Sequence, residues 1–373
     1  MESSDDKHRS RPAIDILLPT IRWDDHVRGL LGYLSAIANS SPAPVAVYIG
    51  DDSCNPEKHA YMETLRSDHV HVFMHPSRLG VHGNVAYLLN RSTANYVQAV
   101  DDDDWFHSDW LENAVLLHQD PGVAAVVGSL SEYRVSTASL HNLGQRFAQE
   151  DAVQRATDYV HFMLFETNPN FCALGLFRRN IFTAYARYVG WHPIQFWFHD
   201  QVLTTIALIS GKLLGTGVGL YVYDGKADEP LSHARIRQMG EDIFASTVRS
   251  GLPDWHIRLL NIFHLAVEHA TACVFNDLDG STSIDVRKQA ANSLYAKIFG
   301  GWRQSIYEPE KSRNDQVMEQ NGIQAPVLAA LANPGSARQG MESILQIVQR
   351  VNPALGGRYI EFLDTHTHWR ELE

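Results

Sequence analysis

Short apolar runs alternate with segments of helical periodicity between residue 13 and about residue 129. The runs rich in strand-forming residues are Ile14–Leu18, Val45–Ile49, Val70–Met74, Tyr96–Val100 and Val123–Val127. Between them, apolar residues recur at helical spacing, as in the segment from Val27 to Ala38 that Asp24 or Asp25 can cap. Repeated strand–helix–strand units predict an α/β fold, with a mostly parallel sheet covered by helices on both faces.

Polar residues follow three of these predicted strands. The clusters are Pro19-Thr20-Ile21-Arg22, Gly50-Asp51-Asp52-Ser53 and Asp101-Asp102-Asp103-Asp104. In open α/β sheets, ligands bind beyond the carboxyl ends of the strands. The three clusters therefore predict one binding site at that edge of the sheet.

Four consecutive aspartates, Asp101 to Asp104, end the fourth predicted strand. Carboxylate oxygens are the ligands that Mg²⁺ and Mn²⁺ prefer, and phosphates often complete the Mg²⁺ shell. On an extended backbone Asp101 and Asp103 share a face, whereas Asp102 points elsewhere and Asp104 can cap the next turn. The alternative is a solvated turn with a helix cap, so the pattern alone leaves metal binding open.

Composition excludes several classes of protein. The 373 residues carry a net charge of −12, which argues against nucleic acid or an anionic membrane as partner. No apolar run is long enough for a transmembrane segment. The polar residues 1–12 predict a disordered tail, and three scattered cysteines predict small core residues in a reduced, cytoplasmic protein.

The rest of the chain changes character in steps. Residues 130–170 predict a mixed insertion, and a strand over Ala173–Phe177 is followed by a helix to Tyr188. After the aromatic segment GWHPIQFWFHD we expect a helix over Asp200–Ser210 and a strand over Gly219–Tyr223. Amphipathic patterns dominate beyond residue 240. The predicted organisation is a catalytic domain over residues 13–238, with halves 13–129 and 130–238, and a helical region over residues 239–373.

The motifs resemble those of the family 2 glycosyltransferases of the GT-A fold, which transfer a sugar from a nucleotide-diphosphate donor. The family's strand that ends in Asp-x-Asp-Asp is seen as AVDDDDWFHSDWLE, and its first two strand ends as LLPTIR and YIGDDSC. The segments RLGVHGN, FCALGLFRRNIF and FHDQVL resemble its glycine turn, its acceptor side with arginines, and its short acidic motif. The resemblance covers roughly residues 13–235.

The resemblance implies a donor site that depends on Mn²⁺ or Mg²⁺. Asp103 is the implied metal ligand, Asp101 contacts ribose or metal-bound water, and His233 completes the metal shell. Asp51, or alternatively Asp52, would accept a hydrogen bond from the ring N–H of the base, and UDP is the favoured nucleotide. The donor-binding residues are predicted to be Pro19, Thr20, Arg22, Asp51, Arg78, Asp101 and Asp102.

The acceptor side is expected around the aromatic segment. Trp191 and Trp197 could stack on a sugar or pack in the core, and His199 stands where the family usually has glutamate. Asp200 is the predicted base that deprotonates the acceptor hydroxyl, with inversion at the anomeric carbon. A helix N-terminus would stabilise its charged form, whereas desolvation would raise its pKa. The acceptor is an unidentified saccharide or small metabolite.

Other functions remain open from the sequence. A sugar-phosphate nucleotidyltransferase needs a basic, glycine-rich loop after its first strand, where this chain has PTIRWDD. An aspartyl phosphatase needs a hydroxyl residue that DDDDWF lacks. A non-catalytic nucleotide-sugar-binding protein of the same fold is the third alternative. The C-terminal helices are expected to pack on the catalytic domain or to pair two copies in a homodimer.

Overall fold

The computed structural model describes residues 12–41, 43–133, 140–165, 169–194, 199–224, 251–278 and 280–372. The predicted tail over residues 1–12 lies almost wholly outside these ranges, and the predicted domain boundary at residue 238 lies outside them as well. Both stay predictions.

Four parallel strands form one half of the sheet. They are β1 (Ile14–Thr20), β2 (Val45–Asp51), β3 (Val70–Met74) and β4 (Tyr96–Ala99), in the order β3-β2-β1-β4. All seven residues of β1 are buried, as expected for a strand with a neighbour on each side. Thr20 is paired with Asp51 in the register of β1 and β2, so both stand at the carboxyl edge of the sheet.

Helices connect these strands as the alternating pattern predicts. They are α1 (Asp25–Ser40), α2 (Pro56–Thr64), α3 (Gly80–Leu89) and α4 (Asn113–Gln119). Asp24 caps α1, and its carboxylate accepts a hydrogen bond from Val27 N at 2.9 Å. A short 3₁₀ helix over Ser108–Glu112 precedes α4, where the sequence predicts one continuous helix from Asp109.

The other half of the sheet contains antiparallel pairs. Its strands are β5 (Trp105–Phe106), β6 (Val123–Tyr133), β7 (Leu140–His141), β8 (Leu176–Arg178) and β9 (Lys212–Asp224). The antiparallel pairs are β4–β8, β6–β8, β6–β7 and β5–β9, and the full order is β3-β2-β1-β4-β8-β6-β9-β5 with β7 on β6. The predicted α/β class is therefore confirmed, and the sheet is mixed because strands that follow β4 in sequence join it in antiparallel pairs. β8 is shorter than the predicted strand because residues Pro169–Leu174 form a 3₁₀ helix.

Helices dominate the remainder, which confirms the predicted helical C-terminal region. The predicted insertion contains an unforeseen helix, α5. The helices are α5 (Ala152–Phe165), α6 (Arg179–Trp191), α7 (His199–Ser210), α8 (Asp254–Cys273), α9 (Ile284–Trp302), α10 (Lys311–Gln320), α11 (Gln324–Ala332), α12 (Ala337–Val351) and α13 (Pro353–His366). None of those within the described ranges combines the length and apolarity needed to cross a membrane.

Contacts divide the chain into two compact units that interleave along the sequence. The first unit comprises Met1–Arg146, Leu174–Ala186 and Leu213–Asp228, and the second comprises Phe147–Ala173, Arg187–Lys212 and Glu229–Glu373. The sheet belongs to the first unit, and α8 and α9 form the packed centre of the second. All three cysteines are free; Cys172 and Cys273 are buried as predicted, whereas Cys54 is exposed.

Candidate active site

The ends of β1 and β4 meet through the carboxylate of Asp102. Its Oδ2 atom accepts hydrogen bonds from Thr20 Oγ1 at 2.8 Å, Ile21 N at 3.0 Å and Arg22 N at 3.1 Å. Two of these donors are backbone amides just beyond β1, which Asp102 reaches because β1 and β4 are parallel neighbours. Asp102 thus holds the turn of residues Asp101 to Asp104, named here the aspartate turn, against the end of β1.

The other three aspartates form a cluster of carboxylates. One oxygen each of Asp101, Asp103 and Asp104 lie within 4.8 Å of one another, and this set is named here the aspartate cluster. The turn brings residues 101 and 104 together, since Asp104 N donates to Asp101 O at 3.1 Å. Asp101 is exposed, Asp103 is partly buried and Asp104 is buried. Three oxygen donors at this spacing fit a hard divalent cation.

Asp104 is the member that the sequence analysis missed. It was predicted to cap a turn, but its Oδ2 atom accepts a hydrogen bond from the buried Tyr221 hydroxyl at 2.8 Å. Burial and the charges of the aspartate cluster raise the pKa of Tyr221 well above its usual value, so this phenol stays a donor. Four consecutive acidic residues on a tight turn were the available signal, because a turn places residues i and i+3 side by side.

A cavity of about 260 Å³ adjoins the aspartate cluster at the carboxyl edge of the sheet. It includes six of the predicted donor and metal residues, and Arg22 lies beside it, with Nη1 3.6 Å from Asp103 Oδ2. The residues that line the cavity are Pro19, Thr20, Ile21, Asp52, Arg78, Gly80, Val81, Asn84, Asp101, Asp102 and Asp103. The structure therefore brings together the three polar clusters that the sequence analysis assigned to one site.

Asp51 and Asp52 have different environments. Asp51 is fully buried and lies against Lys58 Nζ at 2.6 Å and His59 Nε2 at 2.8 Å. Burial favours a raised pKa for Asp51, but Lys58, Ser53 and His59 lower it below the usual value. Asp52 instead lines the cavity, and its two oxygens accept hydrogen bonds from Leu79 N and Gly80 N. Of the two alternatives for a base-binding carboxylate, only Asp52 borders the cavity.

Gly50 and Asn84 shape the floor next to Asp52. Asn84 Nδ2 donates to Gly50 O at 2.8 Å, and a Cβ at Gly50 would approach Asn84 Oδ1 to 1.9 Å. Gly80 begins α3 with φ +75°, a backbone conformation that glycine adopts readily. Gly50 therefore permits the close approach of Asn84, and Gly80 permits the backbone conformation at the start of α3.

The arginines of FCALGLFRRNIF do not line this edge. Arg178 pairs with Tyr96 in the antiparallel β4–β8 register, at the amino end of β4. Its guanidinium donates to the carbonyl oxygens of Leu117, Val123 and Asp120, while that of Arg179 donates to Leu89 O and Ser92 O. The guanidinium groups of both arginines bind backbone carbonyls of the first unit, and the expectation that this segment lines the acceptor side stays a prediction.

The predicted base and acceptor residues belong to the second unit. Asp200 lies in the first turn of α7, where burial raises its pKa to about 6, so desolvation is the larger of the two expected effects. Trp191 is 49% exposed and stacks on His366 with ring centroids 4.2 Å apart. Trp197 and His233 lie outside the described residues, and for His199 only the backbone, at the start of α7, is described.

Comparisons with solved structures give similarity at low sequence identity. The crystal structure of S. aureus TarS 1-349 is 12% identical with a TM-score of 0.48, covering 94% of this chain and 84% of that chain. The structure of the same protein in complex with UDP-GlcNAc is 12% identical with a TM-score of 0.48, covering 94% of this chain and 85% of that chain. The structure in complex with UDP is 10% identical with a TM-score of 0.47, covering 94% of this chain and 88% of that chain. No curated protein matches the sequence.

The family comparison covers a region that begins within α1 and contains α2 to α4 and the aspartate turn. Residues 29–185 match the model described as Glycosyl transferase family 2. This segment includes two of the three polar clusters and the motifs AVDDDDWF and FCALGLFRRNIF on which the resemblance was based. The predicted resemblance is confirmed by this match of residues 29–185 to the model of glycosyl transferase family 2.

Proposed function

We propose that the protein moves a sugar from a nucleotide-diphosphate donor to a hydroxyl acceptor with the help of a divalent cation. The observation that carries the proposal is the aspartate cluster beside a cavity bordered by the ends of β1, β2 and β4. A diphosphate brings negative charge toward these carboxylates, and a bound cation removes that repulsion. The family 2 match supports the same reaction class.

Asp101, Asp103 and Asp104 would hold Mg²⁺ or Mn²⁺, and His233 remains a proposed fourth ligand. The fit rests on three carboxylate oxygens within 4.8 Å of one another. When bound, such a cation neutralises charge on the departing diphosphate. Tyr221 orients Asp104 through its hydroxyl, and Arg22 adds a positive charge near Asp103.

The nucleotide would lie in the cavity between β1 and the start of α3. Asp52, rather than Asp51, is our candidate for the carboxylate that binds the ring N–H of the base, because Asp51 is fully buried against Lys58. Pro19, Thr20 and Arg78 also line this cavity and keep their proposed donor-side roles. UDP is the nucleotide favoured by the resemblance to the family.

Asp200 would act as the base. A carboxylate with a pKa of about 6 is deprotonated at neutral pH and still basic enough to accept a proton from an attacking hydroxyl. A single base acting together with a metal-bound leaving group would favour a single displacement with inversion. Trp191, Trp197 and His199 remain proposed acceptor residues.

Calorimetry of UDP binding with Mn²⁺ tests the proposal. We expect binding in the presence of Mn²⁺, loss of binding in EDTA, and loss of metal-dependent binding in Asp103→Ala. Asp109→Ala is the matched control, because Asp109 lies close in sequence but is exposed and contacts His107. Unchanged affinity in EDTA, or tighter binding of GDP or dTDP than of UDP, would contradict the metal or the nucleotide assignment respectively.

A further inference from the structure

Lys58 is a lysine in the interior of the first unit. Its side chain is 0% exposed, and its Nζ atom lies 2.6 Å from Asp51 Oδ1 and donates to Thr20 Oγ1 at 2.9 Å. Lysines are almost never fully buried unless they are paired, because desolvating the ammonium group is costly. The pair of Lys58 and Asp51 therefore calls for an explanation other than simple core packing.

The hydrogen bonds of Lys58 have a fixed direction. An ammonium group can only donate, so the Thr20 hydroxyl must accept from Lys58. The single hydroxyl proton of Thr20 is then donated to Asp102 Oδ2, 2.8 Å away. Asp51, Lys58, Thr20 and Asp102 thus form one continuous chain, named here the Lys58 relay.

Burial and neighbouring groups shift the pKa values of Lys58 and Asp51 within the relay. Burial lowers the pKa of Lys58, while the carboxylates of Asp51 and Asp102 oppose that shift. Lys58, Ser53 and His59 hold the pKa of Asp51 below its usual value despite burial. Lys58 Nζ, 2.6 Å from Asp51 Oδ1 and 2.9 Å from Thr20 Oγ1, therefore lies directly behind the Thr20 hydroxyl.

The position of Asp102 gives the relay a functional consequence. Asp102 stands between Asp101 and Asp103, and its Oδ2 atom is also bound by the amides of Ile21 and Arg22. Fixing this carboxylate fixes the turn that carries its two neighbours, which line the cavity.

We propose that Lys58 is a positioning residue for the donor site, which orients the Thr20 hydroxyl so that Asp102 holds Asp101 and Asp103 at the cavity. The role as stated rests on the proposed function, whereas the ordering of the turn does not. Residues that orient ligands from behind change metal affinity by about 10–100-fold when they are lost.

Three variants separate positioning from folding. Lys58→Met leaves Asp51 buried without its lysine partner, so the double variant Lys58→Met/Asp51→Asn is needed to remove both members of the pair. Thr20→Val leaves the buried pair of Lys58 and Asp51 in place and removes the hydroxyl that links Lys58 to Asp102. Arg28→Gln is the control, because it removes the exposed pair of Arg28 with Glu57 on α2, the helix that also carries Lys58.

Hydrogen–deuterium exchange tests, without any ligand, whether the Lys58 relay orders the turn of residues 101–104. In the double variant and in Thr20→Val, we expect exchange over residues 19–23 and 101–104 to accelerate by about tenfold or more, with helix Asp254–Cys273 unchanged. Arg28→Gln should exchange like the wild type. If residues 19–23 and 101–104 exchange as slowly in Thr20→Val and in the double variant as they do in the wild type, the proposal is overturned.

Calorimetry with UDP and Mn²⁺ provides the second measurement. We expect the dissociation constant of the double variant to rise by about tenfold or more, and that of Arg28→Gln to stay unchanged. If the wild type binds no nucleotide, the proposed function fails and the exchange experiment alone decides the role of Lys58 in the turn. If the wild type binds and the double variant binds equally well, the positioning role is overturned while the proposed function stands.

Discussion

The aspartate cluster of the first unit and the surroundings of Glu268 in the second unit show two ways in which a protein holds carboxylates. Glu268 is 1% exposed and receives hydrogen bonds from the hydroxyls of Tyr188 and Tyr359, the latter at 2.8 Å. His192 Nε2 and His264 Nε2 lie 2.9 Å and 3.3 Å from its oxygens. By contrast, Asp101 is exposed and Asp103 is partly buried, and both adjoin a cavity.

Glu268 and the aspartate cluster differ in the groups that surround their carboxylates. Burial favours a raised pKa for Glu268, but the adjacent His192 and His264 lower it well below the usual value. The carboxylate of Glu268 therefore interacts with side chains of the protein interior. The aspartate cluster gathers three carboxylates within 4.8 Å instead, an arrangement that a cation stabilises. Glu268 should thus matter for stability, and Asp103 for binding.

The largest expected effect is the loss of stability in Glu268→Ala. Removing this carboxylate leaves two tyrosine hydroxyls and two histidines without their partner in the interior, which costs roughly 3–5 kcal/mol of unfolding free energy. Urea unfolding followed by circular dichroism measures the change. Asp103→Ala is the matched variant, and without metal its stability should change by less than about 0.5 kcal/mol. Equal losses in the two variants would abolish the distinction.

Asp200→Asn gives the second-largest effect and adds a third kind of carboxylate to the comparison. Burial raises the pKa of Asp200, whereas that of Glu268 is lowered, so Asp200 is suited to accept a proton. Asparagine keeps the shape and capping ability but cannot act as a base. We expect turnover to fall by about a hundredfold or more, with donor affinity nearly unchanged.

The pH profile and the product check the same assignment. Because the base must be deprotonated, wild-type kcat should rise with pH through about 6 and then level off. A flat profile, near-normal turnover in Asp200→Asn, or a retained anomeric configuration in the product by NMR would each contradict the base assignment.

Buried histidines near Glu268 predict an acid-sensitive second unit. Burial lowers the pKa of His269 from 6.5 to about 4, and it also lowers those of His256 and His264. Above pH 6.5 the histidines are neutral in both states, so this contribution to stability is fully present. Between pH 6.5 and about 4 the unfolded state binds protons that the folded state does not, and stability falls.

Unfolding at pH 7, 6 and 5 measures this contribution. His269 alone should cost about 2 kcal/mol by pH 5. His269→Gln, which can keep a hydrogen bond to Thr205, should flatten the profile. Asp103→Ala, in the first unit, should leave the slope unchanged. If the stability of His269→Gln falls with decreasing pH as steeply as that of the wild type, groups other than His269 control the acid response.

The sequence predicted the first unit better than the second, for physical reasons. Local patterns define β3 and the Asp24 cap, because strand propensity and capping depend on neighbours in sequence. The place of Asp51 beside Lys58 depends on a contact between β2 and α2 that no periodicity reveals. Nothing in the sequence indicated the role of Glu268, because three of its partners lie 76 to 91 residues away. All of its partners are tyrosines and histidines, which are also common in protein cores.

Tyr221→Phe has the smallest expected effect and tests Asp104, which lies between the two kinds of carboxylate. Asp104 is buried and bound by a tyrosine hydroxyl, as Glu268 is, yet one of its oxygens belongs to the aspartate cluster. If it is a metal ligand, losing the Tyr221 hydroxyl should weaken Mn²⁺ binding by up to about tenfold, because the carboxylate is no longer oriented. Calorimetry of Mn²⁺ binding measures this. Tyr33→Phe is the control, since that hydroxyl donates to Phe106 O rather than to a carboxylate. A stability loss in Tyr221→Phe without any change in Mn²⁺ affinity would place Asp104 with Glu268, as a carboxylate used by the fold alone.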